Sequence, residues 1–229
     1  MKYPNIKEGI FISRLNRFAA EVQIDGRVQK CHVKNTGRLR ELLVPGAVCY
    51  LTEPGNPARA TRYDLVAVRR EDGTTVNIDS MAPNAVAGEY LRQLYPEADI
   101  RPETKYGDSR FDFMVKKSDG ILYVEVKGVT LNQNGVALFP DAPTERGLKH
   151  VRELIACKRA GHGAMILFVV AMHGIKKVMP NKETHAAFAD ALVDAGRAGV
   201  HLRAIDCNVS PDALTVKNSL PVCLDSEEI

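Results

Sequence analysis

The sequence predicts an α/β chain, α+β overall, in two parts: a small closed β-barrel over residues 1–81 and a mixed-sheet α/β domain over residues 82–229. Three observations predict it. From residue 9 to about residue 80, short apolar segments are divided by turn-forming residues, with no long amphipathic helix. After Pro83 the texture changes, and helical stripes alternate with strands. The charge changes as well: residues 1–80 carry 13 basic and 9 acidic side chains, whereas residues 81–229 carry 18 and 19.

In the first part, GIFISRLNRFAAEVQI runs to a turn at Asp25-Gly26, followed by RVQKCHV, AVCYLTE, DLVAVRR and TTVNI. About five strands, with one helical turn at TGRLRELL before Pro45-Gly46, suit a closed barrel of the OB type. Asn35-Thr36-Gly37, PGNP at 54–57 and Asp72-Gly73 supply the turns by ordinary hairpin chemistry.

The second part opens with a helix, AVAGEYLRQLYPEA, that ends near Pro96. Then come SRFDFMV and ILYVEVKGV as strands, TERGLKHVRELIACKRAG as a helix, AMILFVVAM as a strand, ETHAAFADALVDAGRAG as a helix and VHLRAIDCNV as a strand. AMILFVVAM lacks alternation, as a strand covered on both faces does. Both later helices stop at glycine, Gly161 and Gly199, and Leu148, Val151, Ile155, Phe188 and Leu192 form their buried stripes. The chain closes on an acidic DSEE.

With 45% hydrophobic and 26% charged residues in 229, the chain can bury a full core, and disorder is excluded. The five scattered cysteines show no C-x-x-C or zinc spacing and read as reduced thiols. No segment is long and apolar enough to span a bilayer, so a cytoplasmic protein with no membrane partner is expected. There is no glycine-rich nucleotide loop and no nucleophile elbow, which argues against a metabolic enzyme.

The chemistry concentrates in ILYVEVKGV. Ile121, Tyr123, Glu125 and Lys127 share one face of that strand, and Leu122, Val124 and Val126 share the other. A hairpin through KKSDG, centred between Ser118 and Asp119, pairs residue i with residue 237 − i and sets Asp112 opposite Glu125. Opposed residues lie about 5 Å apart at Cβ, close enough for two carboxylates to share a divalent ion. Two such carboxylates stay ionised together only if a cation neutralises them, and oxygen-only ligands suit Mg²⁺ or Mn²⁺. A lysine two residues on can stabilise charge developing at phosphorus. An isolated E-x-K is commonly a surface salt bridge; the second acid in register and the α/β context set this one apart.

Asp112 followed by Glu125-Val126-Lys127, with Glu89 on the preceding helix, resembles the PD-(D/E)XK (restriction-endonuclease-like) nuclease superfamily. Phe111 stands where the motif's name has proline. The resemblance implies that Asp112, Glu125, Lys127 and Glu89 are catalytic and that Asp112, Glu125, Val126 and Glu89 surround the metal. More narrowly, HVKNTGRL at 32–39, NPARATRY at 56–63, PNAVAGE at 83–89, KYGDSRFDF at 105–113, VEVKGVTL at 124–131 and LFPDAPTERGLKHVREL at 138–154 are similar to the sugar fermentation stimulation protein A family. That likeness implies an OB-like domain, a nuclease-like domain, non-sequence-specific DNA binding and a regulatory link to sugar (maltose) metabolism. Mg²⁺-dependent cleavage of DNA is the alternative, and a homodimer stays open.

Arg14, Arg17, Lys34, Arg38, Arg40, Arg59 and Arg62 lie in or beside turns of the barrel, where such folds present a binding face, and form the expected phosphate-contacting set. Lys105, Arg110, Arg146 and Lys149 bracket the carboxylates. Thr144 is the expected N-cap of the helix carrying Glu145, Lys149 and Arg152 on one face, with Glu145 and Lys149 as an i,i+4 pair. His150 and His32 read as structural.

Overall fold

The computed structural model describes residues 1–35, 37–55 and 58–224. Thr36, part of PGNP and the DSEE tail, which the sequence assigns to turns and an acidic end, lie outside these residues. The chain divides into two compact units: Met1–Ala82 with Ala171–His173 and Cys207–Thr215, and Pro83–Val170 with Gly174–Asp206 and Val216–Ile229.

In the first unit, β1 (Ile6–Asn16), β2 (Ala19–Ile24), β3 (Arg27–Val33), β4 (Val48–Thr52), β5 (Asp64–Arg69) and β6 (Thr75–Asn77) lie in the order β3-β2-β1-β4-β5-β6. A parallel pairing of β3 with β5, His32 to Asp64 and Val33 to Leu65, closes five of them into a barrel, and β6 extends it beside β5. GIFISRLNRFAAEVQI is two strands, because Asn16 Oδ1 accepts the Phe18 N–H at 2.8 Å and turns the chain there. Within TGRLRELL the chain makes a single turn, with Leu42 and Leu43 both donating to the Leu39 carbonyl. Gly9 lets β1 approach β2 closely, since a Cβ there would sit 2.6 Å from Val22 Cγ1.

The second unit begins with helix α1 (Ala82–Leu94), followed by strands β7 (Asp99–Tyr106), β8 (Ser109–Lys117) and β9 (Gly120–Val129). Short strands β10 (Leu131–Gln133) and β11 (Val136–Phe139) precede α2 (Glu145–Arg159), β12 (Gly163–Val170), β13 (Lys177–Pro180), α3 (Ala186–Arg197), β14 (His201–Ser210) and β15 (Ala213–Leu220); the end of β14 and the start of β15, within Cys207–Thr215, belong to the first unit. The main sheet runs β15-β14-β12-β9-β8-β7, and β10, β11 and β13 form a small second sheet. β12 lies parallel to both β9 and β14 and is almost wholly buried, as its unbroken apolar run requires.

β7 carries too little pattern to read from sequence: it is a largely exposed edge strand that contains Pro102. α2 and α3 bury Leu148, Val151 and Ile155, and Phe188 and Leu192, respectively. Each ends on an alanine followed by glycine at positive φ, Gly161 at 91° and Gly199 at 83°. All five cysteines are free and buried.

Candidate metal and nucleic-acid site

The β8–β9 hairpin has the register that its turn dictates. Phe113 pairs with Val124, Met114 with Tyr123 and Lys117 with Gly120. The ladder stops there, one residue short of Asp112. Phe113 faces α1, where its ring lies 3.3 Å from the position of a Cβ on Gly88. Phe111 instead packs against Tyr123, 5.7 Å between ring centres, and against His150 of α2. Residues two apart on a regular strand share a face, so the strand is irregular at Asp112. Its neighbour Glu103 on β7 has φ 52° and drops out of the β7–β8 ladder. Asp112 is therefore not the simple cross-strand partner of Glu125 that the hairpin arithmetic predicts. Its Oδ2 takes the Val126 N–H of β9 at 2.7 Å, and its Oδ1 takes the Asn84 side-chain amide of α1 at 2.8 Å.

Glu125 is 3% exposed. Its Oε1 accepts from Lys127 Nζ at 2.7 Å and from His150 Nδ1, whereas its buried Oε2 has no hydrogen-bond partner among the described residues. Burial pushes the Glu125 carboxyl up, but the His150 and Lys127 donors together outweigh it and hold the group below its ordinary range. Asp112 goes the other way: burial and the Glu125 charge raise it, against the Val126 N–H, the Asn84 amide and Lys127. Two neighbouring carboxyls displaced in opposite directions mark a candidate functional site.

A buried carboxylate oxygen with no donor is costly, and an ion or a water is one of the partners that would satisfy it. The chemistry around it suits a small, hard divalent cation. Asp112 and Glu125 Oε2 would offer it oxygen ligands, and Mg²⁺ is an ion that commonly keeps several waters beside one or two carboxylates. No group of three or more His, Cys, Asp or Glu side chains placed to hold a metal ion occurs among the described residues.

Two residues of this cluster escape sequence reasoning. Asn84 lies within PNAVAGE, where the sequence points to Glu89; Glu89 is exposed, about 140° around the helix from Asn84. Asn84 is an α1 side chain set against Asp112. His150, read as structural, falls in register with the buried stripe Gly147, Leu148, Val151 and Leu154, so the apolar face carries it onto Glu125.

The structure divides the predicted DNA-binding residues. Arg14 is not a phosphate contact, because the five N–H groups of its guanidinium go to the carbonyls of Asn16, Arg17, Asn35, Gly37 and Arg38. Lys34 pairs with buried Asp79 at 3.0 Å and buried Asp64 at 3.7 Å, and Arg59 forks onto Asp64. Arg62 binds Glu53 at 2.7 Å and lies over the Tyr63 ring. Arg17, Arg38 and Arg40 are exposed.

In the second unit Lys105 and Arg146 are exposed, and Arg110 sits 3.5 Å from Glu103. Thr144 caps α2 by accepting the Gly147 N–H. The expected Glu145–Lys149 pair is not made: Lys149 reaches Glu153 at 3.6 Å, and Glu145 meets His185 at 3.4 Å. His32 Nδ1 donates to the Phe18 carbonyl, 3.0 Å away, and ties β3 to the β1–β2 turn.

Known proteins share this architecture. Residues 12–78 match the family model for the SfsA N-terminal OB domain, and residues 81–213 match that for the sugar fermentation stimulation protein RE domain. The sugar fermentation stimulation protein homolog of Desulfitobacterium hafniense (strain Y51) is 48% identical over 226 residues, 98% of this chain and 99% of that one. The homolog of Ruminiclostridium cellulolyticum is 44% identical over 227 residues, 98% and 100% of the two chains. The solved structure of Pyrococcus furiosus SfsA in complex with Ca²⁺ superposes with a TM-score of 0.87 at 31% identity, covering 97% of each chain. With both of its domains matched in order and its relatives covered end to end, this chain belongs to the sugar fermentation stimulation protein family.

Proposed function

We propose that this protein binds DNA without sequence specificity, mainly through phosphate contacts, and holds a divalent cation, Mg²⁺ or Mn²⁺, at Asp112 and Glu125. The observation that carries the cation reading is Glu125 Oε2, a buried carboxylate oxygen without a donor beside a second acid. A relative whose structure is in complex with Ca²⁺ supports it. The exposed cations Arg17, Arg38, Arg40, Lys105 and Arg146 are the phosphate contacts. A regulatory role in sugar metabolism is supported only by the family's name, and cytoplasmic residence by the five free thiols.

A second reading, cleavage of DNA, is favoured by Lys127, whose Nζ lies 2.7 Å from the same carboxylate. In that reading Asp112 and Glu125 hold the ion, whose chemistry is to neutralise a phosphoryl oxygen and lower the pKa of water. Lys127 sets a positive charge beside the oxygen on which negative charge builds. Asn84 and the Val126 N–H keep the Asp112 carboxyl aimed.

Incubating supercoiled plasmid with Mg²⁺ or Mn²⁺ and native, Asp112→Ala or Glu125→Ala protein separates the two readings. Nicking by the native chain alone establishes cleavage. Equal retardation of the plasmid by all three, without nicking, leaves DNA binding. Failure of the native chain to retard DNA at low salt sinks the whole proposal.

A further inference from the structure

We propose that His150 is a positioning residue for the Glu125 carboxylate, fixing it so that Oε2 alone is presented to a divalent cation; the inference rests on the cation reading above. His150 comes from α2, outside the strand pair that carries Asp112, Glu125 and Lys127. It is 6% exposed, and its Nδ1 meets Glu125 Oε1, the oxygen that Lys127 Nζ reaches at 2.7 Å. Both donors fall on one oxygen, and none of the described groups falls on the other.

A glutamate has three side-chain torsions, and a carboxylate whose oxygens are equivalent presents either one after a half turn. Two donors on Oε1 remove that freedom and aim Oε2. Lys127 cannot do this alone, because it sits on the same strand face, and a flexible four-carbon stem follows the carboxylate wherever it turns. His150 supplies the reference from another element. α2 is fixed by its Thr144 cap and its buried stripe, and the imidazole and the Phe111 ring pack edge to face, 6.4 Å between ring centres and 76° between planes. For an ionised Glu125 the bond requires the proton on Nδ1. In this role His150 acts through Glu125, as the outer partners of metal ligands do.

The test is calorimetric titration of the full chain with Mn²⁺, comparing native protein with His150→Phe, His150→Asn and Glu125→Gln. The phenylalanine fills the volume without a donor, and the asparagine returns an amide N–H near the place of Nδ1. Positioning predicts that His150→Phe weakens Mn²⁺ binding on the order of 10- to 100-fold and that His150→Asn recovers most of the loss. Native affinity in His150→Phe, with binding lost in Glu125→Gln, overturns the role of His150 and leaves the cation site standing. No Mn²⁺ binding by the native chain, or unchanged binding by Glu125→Gln, overturns the cation reading and this inference with it. Should His150→Phe fail to fold, the imidazole nitrogen resonances of native protein decide: a proton on Nδ1 supports the role, and a proton on Nε2 alone overturns it.

Discussion

Lys127 Nζ meets the Glu125 carboxylate at 2.7 Å, two residues along the same face of β9, and it meets Oε1 only. The ion pair that makes an isolated E-x-K unremarkable is present, yet it leaves the second oxygen buried and without a donor. That asymmetry separates this lysine from a surface salt bridge and gives the site measurable properties.

A cation that binds the folded chain and not the unfolded one stabilises it. Mn²⁺ at about 100 times its dissociation constant contributes about 2.7 kcal/mol. For a domain of this size that is roughly a 5–10 °C rise in Tm by scanning calorimetry. Chelation reverses the rise, and Asp112→Ala and Glu125→Gln each abolish it.

Without cation, the two acids respond oppositely to pH. Asp112 is raised above 3.8 by burial and by the Glu125 charge. Its contribution is full below that ordinary value and is lost as pH rises through the raised folded value. Glu125 is held below 4.5, so its contribution is present above 4.5 and is lost as pH falls through the lowered value. Urea unfolding of native and Asp112→Asn protein from about pH 4 to about pH 7 checks the first: the native chain loses stability relative to Asp112→Asn as pH rises. Saturating Mn²⁺ reverses the trend.

Arg14 and its neighbours separate stability from binding. Arg14→Lys keeps the charge but replaces five fixed donors with three, and it cannot satisfy all of the carbonyls of Asn35, Gly37 and Arg38 together with those of Asn16 and Arg17. A loss of about 2 kcal/mol in urea unfolding is expected, with little change in the salt dependence of DNA binding. Arg17→Ala, Arg38→Ala or Arg40→Ala does the reverse: near-native stability, and a salt slope reduced by about 1 for each phosphate no longer neutralised.

Gly128 holds α1 against β9. A Cβ there would lie 2.6 Å from Pro83 Cγ, in the first turn of the helix that carries Asn84. Gly128→Ala costs about 1–3 kcal/mol by overpacking. It also weakens Mn²⁺ binding, because Asn84 moves away from Asp112. Native Mn²⁺ affinity in a destabilised Gly128→Ala would show that α1 does not aim the acid.

Much of the fold and site is legible in the sequence, and the gaps have physical causes. The register of β8 and β9 follows from turn length, because side chains alternate with period two and the turn fixes the pairing. The irregularity at Asp112 is not legible, because no residue there announces it; it shows as Phe111 and Phe113 facing opposite sides and as Glu103 leaving the β7–β8 ladder. Arg14 looks like a phosphate contact in the sequence because composition reports a cation and not where its donors point. Asn84 and His150 stand within recognisable motifs but are ordinary residue types. Only the placement of α1 and α2 over the strand pair brings them to the carboxyls. The short strands β10, β11 and β13, of three or four residues, are below what periodicity resolves.

A cation shared by Asp112 and Glu125 Oε2 is the central claim, and anomalous diffraction from crystals soaked in Mn²⁺ tests it most directly. One strong peak is predicted between Asp112 and Glu125, on the Oε2 side of the glutamate and absent from Asp112→Asn crystals. A peak on the Oε1 side, or manganese bound only elsewhere, would contradict it.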